Sequence, residues 1–597
     1  MAALLAPPSA HAQGVDDPER GYLNVVVHSG RTPSQFATDT PTAATANTTA
    51  LQAALNYAYT NFLVAFFPAG TYYVNGTLEC ASVRQAGVSS VNSPHHVLVG
   101  SAAGSLRPLI KLATSAPSFD TVGGKKAVIR FSHDDTDPDL IYNNQSQNFY
   151  SMLRGIDVDA NHHQGAVGVH FDAGQGSSVE NVRVTATDAF AGFYGLPSRA
   201  AGAVNIEVQG GQYGIYHITE GTAPDGLGSA AGTVVAGAIL ANQTVSAVYY
   251  DGFSPMALVG FEIVTGAGLN SAIRIPDGFQ TRSATLSLVD GTITIGNSSV
   301  TALLNTLDAQ GGRNFYVRNV YITGTNKLVQ SSPNPVVTRT GTWKLINDYS
   351  FCHPASYGAG GDTFVSSNLI GGVLSQNEVI AVTENASAPP TDIRSRHVWA
   401  ALPSVEDSDV YIPGPSELPA DGTNVRSQLQ SLIDAHRKLY VPPGTYSIGS
   451  PGITLHADTI LSGAGRHLTK LKTHSSWLPT AAATVVSTDN SDTAITYLGD
   501  LSIGVNTLNL ANAWFTALEW RAGRNSMVKI GHVYAWSAPQ INGAGAKDAN
   551  PIDLIRATGS GGGRCILPAP SSESATTMRI SASSGSPVLP GRFGFTG

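Results

Sequence analysis

The sequence predicts an all-β protein made of two tandem parallel β-helices, each opened by a short capping helix. Three observations lead to this fold class: a six-residue phrase that recurs along the chain, an opening phrase that occurs twice, and an unusual composition. Only 13% of the 597 residues are charged, and 63 are Gly. A coil that turns at every rung needs many small and turn-forming residues, so this composition suits a solenoid.

The recurring phrase alternates apolar and polar residues, which is typical of a strand with one buried face. It occurs at Leu153–Val158, Val179–Val184, Ala203–Val208, Leu258–Ile263 and Val317–Ile322. The first three copies start at residues 153, 179 and 203, which are 26 and 24 residues apart. Gly or Asn fills the third position, where tolerance of a left-handed backbone lets the chain turn into the next strand. This spacing indicates stacked repeats, whereas a β-sandwich gives no reason for a recurring phrase.

A second repeat marks the start of each coil. Asn47 is predicted to cap a short helix that carries Leu51 and Leu55 on one face. The same order of helix, apolar strand and turn occurs twice: Asn47–Leu55, Phe62–Phe67 and Pro68–Tyr72, then Asn424–Ile433, Leu439–Val441 and Pro442–Tyr446. Because the open end of a solenoid must be covered, we predict two coils, each opened by a helix.

These patterns divide the chain into five parts. We predict a signal-peptide remnant and linker over residues 1–20, a first β-helix over 21–345, an interdomain connection over 346–420, a second, shortened β-helix over 421–564 and a disordered tail over 565–597. Ala10-His11-Ala12 fits a signal-peptidase site, which predicts a secreted protein. The recurring phrase stops at Arg564, so the C-terminal part of the second coil is expected to be missing or replaced in this chain.

Composition also argues against several classes of protein. The formal net charge is −8 and no basic run is present, so nucleic acid is not an expected partner. No run of about 18 apolar residues exists, so nothing is predicted to cross a membrane. The cysteines, Cys80, Cys352 and Cys565, lack the spacing of metal ligands. We therefore expect a monomer that binds no metal or cofactor.

The two opening phrases, Phe67-Pro-Ala-Gly-Thr-Tyr72 and Val441-Pro-Pro-Gly-Thr-Tyr446, resemble the start of the pectate-lyase-type superfamily, whose members are right-handed β-helices. Two such copies in one secreted chain resemble glycoside hydrolase family 55, whose twin β-helices cleave β-1,3-glucan from the chain end with inversion. This resemblance spans residues 21–564. It implies that both predicted coils are right-handed and that the substrate is a polysaccharide.

A narrower block carries a more specific resemblance. Leu153–Asp159 and Gly168–Val182 resemble a strand pair of family 55 in which a Gln helps to hold the attacking water. The resemblance implies this catalytic role for Gln175. The chain departs from the family in one respect, since no counterpart of the family's catalytic acid is evident late in the second domain.

The residues themselves suggest where a site would lie. The interior of a β-helix is filled by stacked side chains, so function belongs on an outer face or in a cleft. We expect Asp159 and Asp172 to bind substrate beside Gln175, all on one outer face. Glycines on both sides of Gln175 allow a ligand to approach closely. Asp157 is expected to be a solvated outer residue.

In the second half, Glu519 is the candidate acid, because it precedes Trp520 and Arg521. A carboxyl group beside an aromatic ring suits sugar stacking and a raised pKa. We therefore predict that Glu519 protonates the leaving oxygen and that Trp520 binds the sugar. The alternative is a salt bridge between Glu519 and Arg521.

Three classes of function remain open at this point. The first is an inverting exo-hydrolase of β-1,3-glucan. The second is a polysaccharide lyase acting on uronic acid polymers, in which Asp157, Asp159 and Asp172 would hold Ca²⁺. The third is a carbohydrate-binding or adhesion β-helix without catalysis.

Overall fold

The fold is known from a computed structural model. It describes residues 16–82, 95–103, 106–133, 148–174, 176–197, 202–218, 233–252, 255–268, 271–276, 285–306, 314–332, 334–352, 355–357, 362–364, 368–370, 373–375, 377–398, 403–477, 483–506, 515–523, 525–529, 532–536, 552–559 and 564–566. The chain divides into two compact units. One comprises Val25–Tyr57 and Phe67–Ala400, and we call its β-helix the first coil. The other comprises Met1–Asn24, Ala58–Phe66 and Ala401–Gly597, and contains the second coil.

The helices are few and mostly short. They are α1 (Val25–Ser29), α2 (Pro33–Phe36), α3 (Pro41–Thr60) and α4 (Arg426–Ala435), with 3₁₀ turns at Pro18–Arg20, Pro117–Phe119 and Ser395–His397. Leu51 and Leu55 of α3 are buried as predicted. Among the described residues, no helix combines the length and apolar character needed to cross a membrane.

The predicted cap at Asn47 is wrong, because α3 begins at Pro41 and Asn47 lies inside it. The Asn47 amide instead donates hydrogen bonds to the carbonyl oxygens of Phe36, at 3.1 Å, and Tyr73, at 3.0 Å. Because its side chain is fully buried, these bonds satisfy an amide that would otherwise destabilise the fold. Asn47 therefore ties the helix to neighbouring backbone.

Short strands form almost all the remaining regular structure. Up to residue 383 they are β1 (Tyr22–Asn24), β2 (Val64–Phe67), β3 (Gly70–Val74), β4 (Leu78–Ser82), β5 (Val97–Gly100), β6 (Pro108–Leu112), β7 (Lys126–His133), β8 (Met152–Arg154), β9 (Asp157–Asp159), β10 (Ala166–Phe171), β11 (Ser178–Thr185), β12 (Ala191–Tyr194), β13 (Gly202–Gln209), β14 (Tyr213–Ile218), β15 (Thr233–Ala236), β16 (Ile239–Ala241), β17 (Ser246–Asp251), β18 (Met256–Val264), β19 (Ser271–Ile275), β20 (Thr285–Thr294), β21 (Thr301–Asn305), β22 (Asn314–Thr323), β23 (Lys327–Ser331), β24 (Val337–Thr338), β25 (Lys344–Cys352), β26 (Ala355–Tyr357), β27 (Asp362–Phe364), β28 (Asn368–Ile370), β29 (Val373–Ser375) and β30 (Val379–Thr383).

The first coil is a right-handed parallel β-helix, as predicted. Sheet 1 contains β5, β8, β11, β13, β15, β18, β20 and β22 in that order, and sheet 2 contains β4, β7, β10, β12, β14, β17, β19, β21 and β23. The strands β3, β6, β9 and β16 also belong to sheet 1, where β9 pairs with β6 and β11, whereas β10, the strand after β9, belongs to sheet 2. After β22 the pairing becomes antiparallel, through β25 and β30. Residues 346–400, predicted to be part of a connection, belong to the same unit as the first coil.

The interior of the first coil consists of stacked apolar columns. One column is Val158, Val184, Val208, Leu240, Ile263, Ile293 and Ile322, which pair in register and are fully buried. Burying each such side chain stabilises the fold by about 1.5–3 kcal/mol. The coil is therefore a packed core, and any ligand must bind outside it.

The recurring phrase has the backbone that the sequence predicts. Its third position has positive φ in every turn: Gly155 (69°), Asn181 (51°), Asn205 (53°), Gly237 (76°), Gly260 (64°), Asp290 (54°) and Asn319 (54°). The register pairs Leu153 with Val179 and Val179 with Ala203, which confirms the offsets of 26 and 24 residues. Asn205 donates a 2.7 Å hydrogen bond to Asn181, and Asn319 donates a 2.6 Å bond to Asp290.

Residues 391–398, which we call the brace, pack along this left-handed corner. Arg394 donates 3.1 Å hydrogen bonds to the Asn205 side chain and to the carbonyl oxygen of Gly237. Nε2 of His397 lies 2.7 Å from Oδ2 of Asp290. Burial disfavours the charged form of Asp290, but the bonds from His397 and Asn319 prevail and hold its pKa well below the usual range.

The second coil has three parallel sheets. Its strands are β31 (Val410–Tyr411), β32 (Lys438–Val441), β33 (Gly444–Ile448), β34 (Ile453–Leu455), β35 (Ile460–Gly463), β36 (Thr469–Thr473), β37 (Ala483–Thr488), β38 (Tyr497–Gly499), β39 (Ser502–Asn506), β40 (Phe515–Trp520), β41 (Met527–Lys529), β42 (His532–Trp536), β43 (Ile552–Ala557) and β44 (Arg564–Ile566). The sheets are β31-β32-β35-β38-β41-β44, β33-β36-β39-β42 and β34-β37-β40-β43. Cys565 and Ile566, assigned to the predicted tail, pair with β41. Residues 1–15 and 567–597 lie outside the described residues.

Asp290→Asn should destabilise the first coil. Asn, like Asp, tolerates the left-handed backbone at this position. The substitution removes the negative charge that His397 and Arg396 approach, so the free energy of unfolding should fall by about 2 kcal/mol. Because the folded pKa is lowered, this stabilisation is present above the pKa of an unfolded Asp, about 3.9, and is lost as pH falls through the folded value. Urea unfolding at several pH values measures both effects. Asp348→Asn is the control and should change little, because Asp348 is partly exposed and its partner Arg318, 3.9 Å away, is exposed.

His456 should stabilise the second coil more at low pH than at high pH. Hydrogen bonding to Asp434, at 2.8 Å, outweighs a small desolvation effect, and with Asp489, at 3.4 Å, raises the pKa of His456. The stabilisation is therefore complete below the pKa of an unfolded His, about 6.5, and is lost as pH rises through the raised value. Urea midpoints of the wild type and His456→Gln should differ at pH 5.5 and converge at pH 9. A constant difference would contradict this account.

Candidate functional site

Asp159, a predicted substrate ligand, lies on the outer side of sheet 1 within a row of ion pairs. Its Oδ2 is 2.8 Å from Nζ of Lys111, and its Oδ1 accepts the backbone N–H of Asn161. Asp157, on the same strand, is 3.1 Å from Nη2 of Arg107. Burial raises the pKa of Asp157, although Arg107 opposes the effect. Both carboxylates therefore already have cationic partners.

Asp172 follows β10, so it belongs with sheet 2, and it is buried. The expected common outer face of Asp159 and Asp172 is therefore wrong, because β9 belongs to sheet 1 and β10 to sheet 2. The Ca²⁺ site of the lyase alternative, built from Asp157, Asp159 and Asp172, is not formed for the same reason. Gln175, the predicted water-positioning residue, lies outside the described residues.

Glu519 and Trp520 occupy opposite faces of β40. Glu519 is partly exposed, accepts a 3.1 Å hydrogen bond from Thr558, and stands in register with Arg556. Trp520 is packed in the apolar core of the second coil. Trp520 therefore does not offer a sugar-stacking ring, because neighbouring residues on a strand point in opposite directions. Nε of Arg521 donates to the carbonyl oxygen of Thr488.

The structure brings together a set of aromatic residues on the outer side of sheet 2. One residue per strand forms a continuous row in register: Glu79, Arg130, His170, Tyr194, Tyr216, Tyr249, Arg274, Leu304 and Gln330. Phe190 and Tyr213 lie beside the tyrosines of this row. We call Phe190, Tyr194, Tyr213, Tyr216 and Tyr249 the aromatic surface.

The rings of the aromatic surface are in mutual contact. Tyr216 is central: its ring centroid is 5.1 Å from that of Tyr194, 4.7 Å from Tyr213, 4.8 Å from Phe190 and 4.8 Å from Tyr249. The rings of Tyr216 and Tyr249 are stacked, with an angle of 21° between their planes. Aromatic pairs in such geometries contribute about 0.5–1.5 kcal/mol each beyond the burial of area. The rings are thus held in place without a ligand.

Burial varies across this surface. Phe190 and Tyr194 form a buried apolar cluster with Ala191 and their neighbours. Tyr213 and Tyr216 pack against this cluster. Tyr213, Tyr216 and Tyr249 are each partly exposed. Burial raises the pKa of the Tyr213 hydroxyl, so it remains a neutral donor and acceptor. Phe190 and Tyr194 thus form a buried layer, and the three partly exposed tyrosines face outward from it.

Charged groups border the aromatic surface on both sides. Nζ of Lys125 lies over the Phe190 ring, 4.4 Å from its centroid. At one end of the row, Arg130 is 3.9 Å from Glu79. On the other side of the tyrosines, Arg274 follows Tyr249 in the row, and its Nε is buried with no hydrogen-bond partner among the described residues. Aromatic faces with a few fixed polar groups are the usual lining of ligand sites.

Sequence reasoning missed this surface, although a local signal is present. A four-residue pattern with Gly second and a ring fourth occurs at Val167–His170, Ala191–Tyr194 and Tyr213–Tyr216. The copies start 24 and 22 residues apart, which is the period of the coil. Tyr249 has Ala in place of Gly, in Ser246–Tyr249. This weaker repeat places the rings of consecutive turns side by side.

Comparison with known proteins gives one family match. Residues 39–225 match the family described as rhamnogalacturonase A/epimerase, pectate lyase-like. This range contains Tyr194, Tyr213 and Tyr216 of the aromatic surface. No curated protein sequence matches the chain.

Solved structures resemble the chain only distantly. The ORF18 protein of Geobacillus virus E2 is 13% identical, with a TM-score of 0.32, over 63% of this chain and 79% of that chain. The tailspike protein gp49 from Pseudomonas phage LKA1 is 9% identical, with a TM-score of 0.29, over 88% and 75%. The catalytic unit of a GH87 α-1,3-glucanase from Streptomyces thermodiastaticus is 13% identical, with a TM-score of 0.24, over 90% and 71%. At this distance, function must be argued from the residues of the chain.

Trp520→Ala should unfold the second coil at lower urea concentration, because it leaves a cavity in the core and costs about 3–5 kcal/mol. Glu519→Gln, one residue away on the outer face, should leave stability nearly unchanged. Urea unfolding monitored by circular dichroism compares the two variants. A stable Trp520→Ala protein with altered ligand binding would contradict the interior position of the ring.

Proposed function

We propose that this chain is a secreted, carbohydrate-active β-helix protein whose first coil binds a polysaccharide on the aromatic surface. The observation that carries the proposal is the group of partly exposed tyrosines, Tyr213, Tyr216 and Tyr249, bordered by Arg274. Contiguous apolar patches of this kind on soluble proteins commonly mark binding sites. A sugar has apolar C–H faces and polar hydroxyl edges, which match rings and bordering polar groups respectively.

Two further observations support a carbohydrate ligand. The packed interior of the first coil leaves binding to the outside. In the described outer row of sheet 2, consecutive tyrosines are followed in register by Arg274. The family matched by residues 39–225 is named for a rhamnogalacturonase and an epimerase, which are enzymes of carbohydrate chemistry. The match supports this class of ligand.

More specifically, we propose that the protein hydrolyses β-1,3-glucan from the end of the glucan, with inversion at the anomeric carbon. Such a reaction needs a carboxylic acid to protonate the leaving oxygen and a group that directs water to the opposite face of the sugar. We assign the first role to Glu519, a partly exposed carboxyl group that accepts a hydrogen bond from Thr558. We assign the second role to Gln175. Each assignment has its own test.

The experiment that tests the proposed function is product analysis on laminarin, polygalacturonate and alginate. We expect soluble sugar from laminarin, with the inverted anomer detected by NMR. Unsaturated products from an acidic polymer would indicate a lyase instead. Binding of polysaccharide without turnover would leave a binding protein and remove the hydrolase assignment.

Substitutions test the two catalytic assignments. Gln175→Ala should lower kcat far more than it raises KM, because a group that positions water acts mainly in the transition state. Glu519→Gln should abolish turnover while preserving substrate binding and stability, because the amide cannot donate an acidic proton. Full activity of Glu519→Gln would show that another residue is the acid.

A further inference from the structure

We infer that the aromatic surface takes a neutral polysaccharide as an extended chain along the axis of the first coil, with Arg274 as its polar anchor. This site would hold internal sugar units of the polymer and would act separately from the residues assigned to bond cleavage. The inference rests on the proposed carbohydrate function and adds the direction, the ligand charge and the anchoring residue.

The direction follows from the register. The partly exposed residues Tyr216, Tyr249 and Arg274 stand on three consecutive strands of sheet 2. Neighbouring strands lie about 4.8 Å apart, so these three positions cover about 10 Å along the coil axis. A ligand that touches all the exposed members must extend over several strands. A single sugar bound across the row would leave most of the surface uncovered.

The contact area begins at Tyr213. Tyr194 is fully buried and His170 is nearly so, and Tyr194 packs between His170 and Tyr216 at 5.2 and 5.1 Å. These two side chains support the surface from one end. Tyr213, Tyr216 and Tyr249 are partly exposed, so their rings provide the contact area that we propose.

Arg274 is partly exposed and follows Tyr249 in the row, so its guanidinium group can supply a hydrogen-bond donor to a ligand on the rings. Arg274 is adjacent to Tyr249 in the row and also acts electrostatically on Tyr213. Its guanidinium group is planar and rigid, so it can hold a hydroxyl or ring oxygen of a sugar stacked on those rings.

The charge balance favours a neutral polymer. Arg130 lies beside Glu79 and Lys125 lies over Phe190, so both cations are already engaged within the protein. The chain as a whole carries a formal charge of −8, which repels a polyanion at long range. A carboxylate polymer would have to overcome this repulsion with Arg274 alone.

The test measures binding of laminarin oligosaccharides of increasing length to the full chain by calorimetry. Affinity should rise with length until the row is covered and then level off. Tyr216→Ala and Tyr249→Ala should each weaken binding by about tenfold, since a stacking contact is lost. Tyr216→Phe should bind as the wild type does. Arg274→Gln should weaken binding by about tenfold, since it removes the anchoring donor.

Tyr321→Ala is the matched control, because Tyr321 is also a partly exposed tyrosine on a strand but belongs to sheet 1. It should leave binding unchanged. Failure of the wild type to bind any polysaccharide would overturn the proposed function itself. Binding that survives both tyrosine variants and Arg274→Gln would overturn only this site. Tighter binding of polygalacturonate than of laminarin would overturn the inference that the ligand is neutral. Affinity independent of oligosaccharide length would overturn the inference that it binds as an extended chain. If an alanine variant does not fold, Arg274→Gln still decides the outcome.

Discussion

The first coil depends on one left-handed residue in every turn. For an ordinary residue this conformation costs about 1–2 kcal/mol, and the conformation recurs at seven described positions of this corner. Gly removes the penalty, while Asn and Asp reduce it and add side-chain oxygens. At Asn181–Asn205 and Asp290–Asn319 those side chains also bond along the axis. The brace then forms hydrogen bonds with residues of the same corner. The residues that turn the chain therefore also hold the brace against the coil.

A fixed corner keeps successive turns in register. Because of this register, equivalent side chains of successive turns line up and contact one another. Inside the coil it aligns Val158, Val184 and Val208 into a buried column. Outside, it aligns Tyr194, Tyr216 and Tyr249 into a surface. The interior column must stay apolar to be stable, whereas the outer row is free to vary. Binding properties can therefore change on the outer row without altering the fold.

The sequence predicted what local rules determine. The period, the left-handed corners and the helices carrying Leu51 and Leu429 all follow from short patterns, and the structure has them. It did not predict which sheet a strand enters, so Asp159 and Asp172 were placed on one face. The predicted sugar-binding role of Trp520 rested on its adjacency to Glu519 in the sequence. Because side chains alternate on a strand, Trp520 lies on the side opposite Glu519. Other neighbours in the aromatic surface, such as Tyr216 and Tyr249, are 33 residues apart, because long connections separate strands that pair in space.

A difference between the two outer rows of the first coil supports our proposal that the binding face lies on sheet 2. On sheet 1, cations and anions alternate in contact: Lys111 lies 2.8 Å from Asp159, and Arg183 lies 2.9 Å from Glu207. Such pairs satisfy one another, so a neutral ligand would have to displace existing bonds to gain its own. On sheet 2 the rings are already ordered by packing, and Arg274 is partly exposed beside them. Because rings that are already ordered lose little freedom on binding, we expect the entropic cost of binding a ligand to be lower there than on sheet 1.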